Sequence, residues 1–475
     1  MANQLREVLN DARWHRQDLE RCCLWVRHRG APGDRREVSG AQVARVTSSG
    51  VELADGSSIP FHRVLRVLDE RGAPRWLRAG EGAADGGLEG AAEGAARALR
   101  APLLQSKEDD ALEAVGLPDV VLEDGARLVL LGSAGEGGGQ IVRTSLSLSL
   151  LTGRALRIDE VRGGRRKPGL LRQHLTCLRA AQEVGGAKVS GLELGASSLA
   201  FEPTALRAGA YAFDVGSAGS AALVAQTLLL PLLMAKGASS LRVRGGTHAS
   251  MAPPADMLAR CYVPELVAAG ASLSMELVSH GFYPAGGGEL RFSIDGKAAD
   301  GKTKHRPLGA KVAPGESADG EDSLEALALV SNLSEAIARR ELQAFAQRVN
   351  ETCKLTCATV RSPGPGNVLI AFAERGGRTN AFCAFGAPRK SAEHVANEAA
   401  GAYLRFVESG AEVEEHLADQ LMLPTALLGG SYTCPPPSDH VLTNAAVINA
   451  FLPSRIRVER IGAGPVHRIS STLGS

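Results

Sequence analysis

No apolar run in this 475-residue sequence has the length a membrane span needs, and the first stretch, MANQLREVLNDARWHRQDLERCC, carries charges where a secretion signal has its apolar centre. The expectation is a soluble, intracellular protein with no membrane partner. A charge imbalance is missing too: 53 Lys and Arg stand against 52 Asp and Glu, a formal net charge of +1. That balance argues against wholesale non-specific binding of nucleic acid and confines any such contact to local basic patches. There is also no cysteine framework. The 8 cysteines are scattered, and Cys177, Cys261 and Cys383 sit in apolar company, as reduced core thiols do. Cys353 and Cys357 fall four apart, but no second Cys/His pair nearby completes a zinc set, so they read as one face of a half-buried strand or helix.

What is present divides into parts. The length implies two or three domains. Residues 1–78 combine a charged, helix-like start with short strands (CCLWVRHR, then VARVTSSGVELADGSSIPFHRVLRVLDE), a small α+β domain. Residues 79–127, with GEGAADGGLEGAAEGAARALRA, are poor in large apolar side chains and read as a linker. From 128 to 475 strand-like runs alternate with apolar helices, each introduced by a small-residue loop. GGGQIVRTSLSLSLLTGR, GSAGSAALVAQTLLLPLLMAKG and HLADQLMLPTALLGG can be laid side by side, which suggests one α/β module used three times. A polar stretch and a different rhythm over about 297–393 indicate a small inserted α/β domain.

Four segments carry chemistry. GSAGEGGGQIVR, Gly132–Arg143, packs glycines around a single glutamate and opens onto an apolar helix. It lacks the Gly-Lys-Ser/Thr ending of a Walker loop and misses the GxGxxG spacing, so a tight structural turn and a phosphate cradle both fit. Glu136 has no packing value there and suits a divalent metal beside a nucleotide. VRGGRRKPGLLRQHL, Val161–Leu175, places four arginines and a lysine within eleven residues. Such a run is usually a solvated face, but Gly163, Gly164, Pro168 and Gly169 shape it into a loop, and arginine forks recognise phosphate. His440 follows a triple proline at the start of an apolar helix, a place for a structural hydrogen-bonder or for a neutral imidazole nucleophile. In EEHLADQL, His416, Asp419 and Gln420 share one helix face leading into a buried helix.

Taken in order, GEGGGQIVR, GRRKPGLLRQHL, GSAGSAALVAQTLL, GFYPAGGG, HLADQLMLPTAL and HVLTNAAVINAFLP resemble the RNA 3′-terminal phosphate cyclase family over about 128–473. The resemblance implies an α/β fold of three repeated βαβαββ units with a small inserted domain. It implies ATP and Mg2+ or Mn2+ as cofactors and an RNA with a 3′-terminal phosphate as partner, and leaves the oligomeric state open. It also implies that His440 takes up AMP from ATP, that AMP passes to the RNA 3′-phosphate, and that the 2′-hydroxyl closes a cyclic phosphate. Glu136 matches a metal-binding glutamate; Arg143, Arg162, Arg165, Gln173 and His174 match residues that hold ATP or RNA phosphates. Asp419 and Gln420 match a pair beside the nucleophile, with Asp419 orienting His440, and His416 falls next to the ribose. His248 departs from the acidic or amide residue common at its position. Two other readings share the architecture: a non-catalytic ribosome-biogenesis branch, which lacks the histidine, and an enolpyruvyl transferase, which forms no covalent nucleotide.

The N-terminal domain has a resemblance of its own. VRHRGAPGDRREV and IPFHRVLRV are similar to a small archaeal-type domain for cyclic-phosphate RNA ends, which implies end binding by Arg27, His28, Arg29, Asp34, His62 and Arg63.

Overall fold

The computed structural model describes Leu9, Leu19 and residues 22–27, 35–47, 50–54, 57–60, 64–68, 74–77, 112–296, 308 and 322–473. Its contacts divide the chain into two units, 1–93 and 94–475. In the first, β1 (Cys23–Arg27), β2 (Arg35–Ser39), β6 (Val64–Leu68) and β7 (Pro74–Leu77) form an antiparallel sheet in the order β2-β1-β6-β7. A second sheet consists of β3 (Val43–Val46), β4 (Gly50–Leu53) and β5 (Ser58–Pro60). Alternating apolar residues such as Leu24 and Val26 point into a core shared with Val38, Val51 and Val64.

The second unit begins with β8 (Leu112–Ala114) and β9 (Val121–Asp124). Then come β10 (Arg127–Leu131), α1 (Gly139–Thr152), β11 (Ala155–Asp159), α2 (Arg172–Gly185), β12 (Lys188–Ser190) and β13 (Leu199–Glu202). Strands β10 and β11 pair in parallel, and the sheet runs β12-β13-β11-β10-β9. The pattern recurs with β14 (Ala210–Asp214), α3 (Ala221–Met234), β15 (Gly237–Gly245), α4 (Val263–Ala268), β16 (Ser272–Ser279) and β17 (Gly288–Gly296), in the order β14-β15-β17-β16. These are two βαβαββ units of one topology.

An inserted module follows: β18 (Ser323–Ser331), α5 (Glu335–Val349), β19 (Lys354–Thr359), β20 (Gly366–Arg375), β21 (Arg378–Phe385) and α6 (Ala392–Ser409). One face of its sheet packs on α5 and α6 around Phe345, Tyr403 and Phe406, while Val368, Ile370 and Phe372 join the main core. Burial on both faces explains the unbroken apolar run NVLIAFA. The module extends past the expected boundary at 393, because α6 supplies Val395, Ala396, Ala399, Ala400, Tyr403, Phe406 and Val407 to its core.

The last elements are α7 (Glu415–Leu428), β22 (Ser431–Cys434), α8 (Asp439–Phe451), β23 (Ile456–Ile461) and β24 (His467–Ser471). Their sheet is wholly antiparallel, β22-β24-β23-β8, and its fourth strand comes from upstream of the first unit. Its order β22-β24-β23 matches β15-β17-β16 of the second unit, and Leu308 bridges Gly430 in parallel ahead of β22. One expectation changes here: residues 112–127 are not linker. Val115, Leu117, Val120 and Val121 pack on the main core, so that stretch is structural.

Candidate active site

Helix α1 packs against both α3 and α8, and this contact brings the glycine loop to His440. Gly135 and Gly137 adopt left-handed φ values of 57° and 58°, where a side chain would be strained. The turn ends at Gly138, which caps α1 with no side-chain acceptor, so the first N–H groups of a 14-residue helix remain available to an anion. The Glu136 N–H donates to Thr443 Oγ1 of α8 at 2.9 Å, locking the loop to the helix that carries His440.

His440 sits in the first turn of α8, half exposed. Its Nδ1 lies 3.0 Å from Gln140 Oε1, and the Gln140 amide Nε2 donates to Asp419 Oδ1 at 2.5 Å. Asn444 Nδ2 donates to the same carboxylate oxygen at 2.9 Å and to the Asp419 carbonyl at 3.0 Å, while Thr144 Oγ1 donates to Asn444 Oδ1 at 2.9 Å. This relay assigns protons. An ionised carboxylate only accepts, so Gln140 turns its NH2 to Asp419 and its carbonyl to His440. The carbonyl can only accept from Nδ1–H, which leaves the lone pair on Nε2. Burial holds His440 below its ordinary 6.5, with Arg165, Arg143 and His416 adding to the effect and Asp419 opposing it. The ring is therefore neutral and nucleophilic near neutral pH. Burial raises Asp419, against its bond from Gln140 and the charge of His440.

Asp419 thus orients His440 through Gln140 and not by direct contact, and Gln140 and Asn444 are the functional residues that sequence reasoning missed. Gln420 accepts from Gln226 Nε2 at 2.9 Å and donates to the His416 carbonyl at 3.1 Å. These contacts join α7 to α3 and do not reach His440.

Glu136 turns a side chain only 3% exposed into the site, where Oε2 pairs with Arg165 and lies 3.7 Å from His440 Nδ1; its Oε1 is buried with no partner. Arg143 lines a small cleft with Gln140, Asp419 and Asn444, and its guanidinium makes no hydrogen bond or ion pair among the described residues. Burial lowers its pKa. Asp419 partly offsets its charge, but a desolvated cation with no hydrogen-bond or ion-pair partner is suited to an anion.

The other basic-loop residues separate by role. Arg162, buried at a left-handed φ of 55°, donates from Nη1 to the carbonyls of Lys167 and Gly169, both at 2.8 Å. These bonds hold the loop that presents Arg165 and engage only the Nη1 of Arg162. Gln173 Oε1 accepts from Ser220 N at 2.8 Å, tying α2 to the start of α3. His174 is driven to about 3 by burial and by Arg143 and Arg162, so it is neutral. Its ring fills the space a Cβ at Gly139 would need, and its Nδ1 is buried without a partner. His416 lines a groove with Arg405, Pro435, Pro436 and Pro465. His248 is buried, with Nε2 2.7 Å from Asp256 and Nδ1 2.9 Å from Thr247 Oγ1. Arg27 ends β1, with its side chain outside the described residues; His28, Arg29, Asp34, His62 and Arg63 lie outside them altogether.

Comparison with known proteins places this geometry. The family described as RNA 3′-terminal phosphate cyclase has a model that matches residues 134–458. An RNA 3′-terminal phosphate cyclase of Ralstonia nicotianae is 45% identical over 329 residues, 69% of this chain and 92% of its own. One from Salmonella enteritidis is 43% identical over 347 residues, covering 73% of this chain and 99% of its own, and one from Koribacter versatilis is 44% identical over 331 residues, covering 69% and 90%. The glycine loop, the arginine loop and the His440 helix all fall inside the matched range, and the chain belongs to the RNA 3′-terminal phosphate cyclase family of enzymes.

Proposed function

We propose that this enzyme converts an RNA 3′-terminal phosphate to a 2′,3′-cyclic phosphate at the expense of ATP, through a covalent histidinyl-AMP on His440. The observation that carries the reading is the relay from Asp419 through Gln140, which leaves the lone pair of His440 on Nε2. In the first step Nε2 attacks the α-phosphorus of ATP; the N–P bond forms, the bond to the bridging oxygen breaks and pyrophosphate leaves. Nδ1–H keeps its bond to Gln140, and the positive charge the ring gains is opposed by Asp419 through the amide and by Glu136 at 3.7 Å. An oxygen of the RNA 3′-phosphate then displaces His440 from AMP. Finally the 2′-hydroxyl, losing its proton, attacks the terminal phosphorus and expels AMP.

Arg143, with no partner of its own, and the uncapped start of α1 are suited to phosphate oxygens, and Arg165 reaches them by turning from Glu136. The orphaned Oε1 of Glu136 fits a divalent cation, Mg2+ or Mn2+, whose chemistry is to offset charge on the phosphates. Among the described residues no group of three or more His, Cys, Asp or Glu surrounds such an ion, so Glu136 would hold it with the phosphates and water. Residues 1–78 are assigned the reading of cyclic-phosphate ends, on their own resemblance, through Arg27, His28, Arg29, His62 and Arg63.

The test is incubation with ATP labelled at the α-phosphate plus metal, then a denaturing gel. Acid-labile label on the wild type that His440→Ala abolishes is the expected result. Label absent from the wild type, or undiminished in the variant, overturns the mechanism.

A further inference from the structure

Two large apolar side chains stand far out of the protein surface: Met251 is 83% exposed and Tyr283 is 76% exposed. Their loops are bound to each other. Thr247 N and His248 N donate to the Gly281 carbonyl at 2.9 and 3.1 Å, and Gly281 N donates back to Thr247 Oγ1 at 2.8 Å. Beneath Tyr283, the buried His248 ring stacks on His280 at 5.2 Å and on Phe282 at 5.1 Å and is held by Asp256. An aromatic ring left in water on so firm a base is prepared to meet a flat partner.

Its position says which partner. Gly286, in the same turn, leaves no room for a Cβ against Ser217 and Ala218; Ser220, in that same small-residue loop, bonds Gln173. A Cβ on Gly216, at the other end of the loop, would lie 3.6 Å from Arg172 Nη1. Arg172 and Gln173 open α2, whose His174 packs on Gly139 at the start of α1. These contacts connect the turn of Tyr283, through the 216–220 loop, to Arg172 and to the start of α1 beside the Glu136 and Arg165 corner. Arg172 is exposed, and its guanidinium makes no hydrogen bond or ion pair among the described residues.

We infer that Arg172 and Tyr283 form a strand subsite for the nucleotides on the 5′ side of the reacting RNA end, Arg172 pairing with a backbone phosphate and Tyr283 stacking on a base. The inference rests on the cyclase reading for its direction. Cations beside an exposed ring match single-stranded nucleic acid, whose phosphates repeat along the strand and whose every base has a stacking face. Met251, on the loop bound to that of Tyr283, supplies a further apolar contact.

The experiment uses the full chain and a fluorescent ten-nucleotide RNA with a 3′-phosphate, followed by anisotropy, beside a ribonucleoside 3′-phosphate as competitor. Tyr283→Ala should weaken the oligonucleotide about fivefold to a hundredfold and leave the nucleoside phosphate unchanged; Tyr283→Phe should bind like wild type. Arg172→Gln should lower the salt dependence by about one phosphate contact. Unchanged oligonucleotide affinity in Tyr283→Ala, equal weakening of both ligands, or a Phe variant as weak as the Ala one overturns the subsite and leaves the ring to a protein partner. Labelling of His440 from ATP alone should be unaffected by Tyr283→Ala. If the wild type takes no label, the catalytic reading fails, while the binding comparison still decides the subsite.

Discussion

At the scale of single residues, Gln140 does what no charge does: it fixes which ring nitrogen of His440 carries the proton. Gln140→Leu removes the acceptor at Nδ1 and a donor to a buried carboxylate. Self-adenylylation should fall about a hundredfold or more, given that loss of a tautomer-setting partner in a histidine triad reaches roughly 10⁴. Label incorporation per folded molecule is the measurement, and a rate within about threefold of wild type would remove the relay from the mechanism. Because His440 is held below 6.5, the acid limb of adenylylation against pH should have its midpoint below that value; a midpoint at or above it would contradict the neutral nucleophile. His440 as a neutral nucleophile with Asp419 as its partner was expected from the sequence, but the relay through Gln140 was not legible there. Gln140 and His440 are 300 residues apart, and an amide in a glycine loop gives no sign of which side chain it will face. Arg162 and Arg165 likewise look alike in RGGRRKP, and only the fold directs one to backbone carbonyls and the other to a carboxylate.

Among the elements, helices that are buried on most sides carry the site, and their sequences mix signals. TSLSLSLL alternates like a strand, yet forms α1. Its serines are buried, Ser147 Oγ donating to Thr227 O at 2.7 Å from the neighbouring helix and Ser149 Oγ to Arg154 O at 2.6 Å, while Ser145 Oγ has no partner among the described residues. What marked it as a helix was its glycine entry and its glycine stop, Gly153 at φ 72°. Ser220 caps α3 by accepting from Leu223 N at 3.2 Å while its own N–H donates to Gln173. Ser220→Ala should cost about 0.5–2 kcal/mol, seen as a lower Tm with the adenylylation rate retained. An unaltered Tm would show that the cap is redundant with the packing of α3 on α1.

For the whole molecule, the alternation of loop and apolar helix was enough to announce repeated α/β units, because each helix must bury a face against a sheet. The composition of the third sheet was not announced, since strand exchange between distant segments leaves no local trace. Global stability carries the mark of one buried group. His174 has its pKa lowered from 6.5 to about 3 by burial. Below pH 6.5 the unfolded chain takes up a proton there that the folded protein refuses, so stability is full above 6.5 and declines as pH falls, by at most about 1.4 kcal/mol per pH unit. His174→Gln should therefore have a flatter Tm between pH 6.5 and 4.5 than wild type. Parallel pH profiles would mean that His174 does not set the slope.

Strand β8 has no partner until β23 has been made, and Gln140 waits as long for His440. During synthesis on the ribosome the glycine loop and the arginine loop emerge early, each inside a unit that can close its own sheet. The nascent chain can thus fold two units while holding a free strand edge and an incomplete centre. Catalytic competence arrives in the same late event that seals the edge, so a truncated translation product would be silent toward ATP and at the same time adhesive through β8.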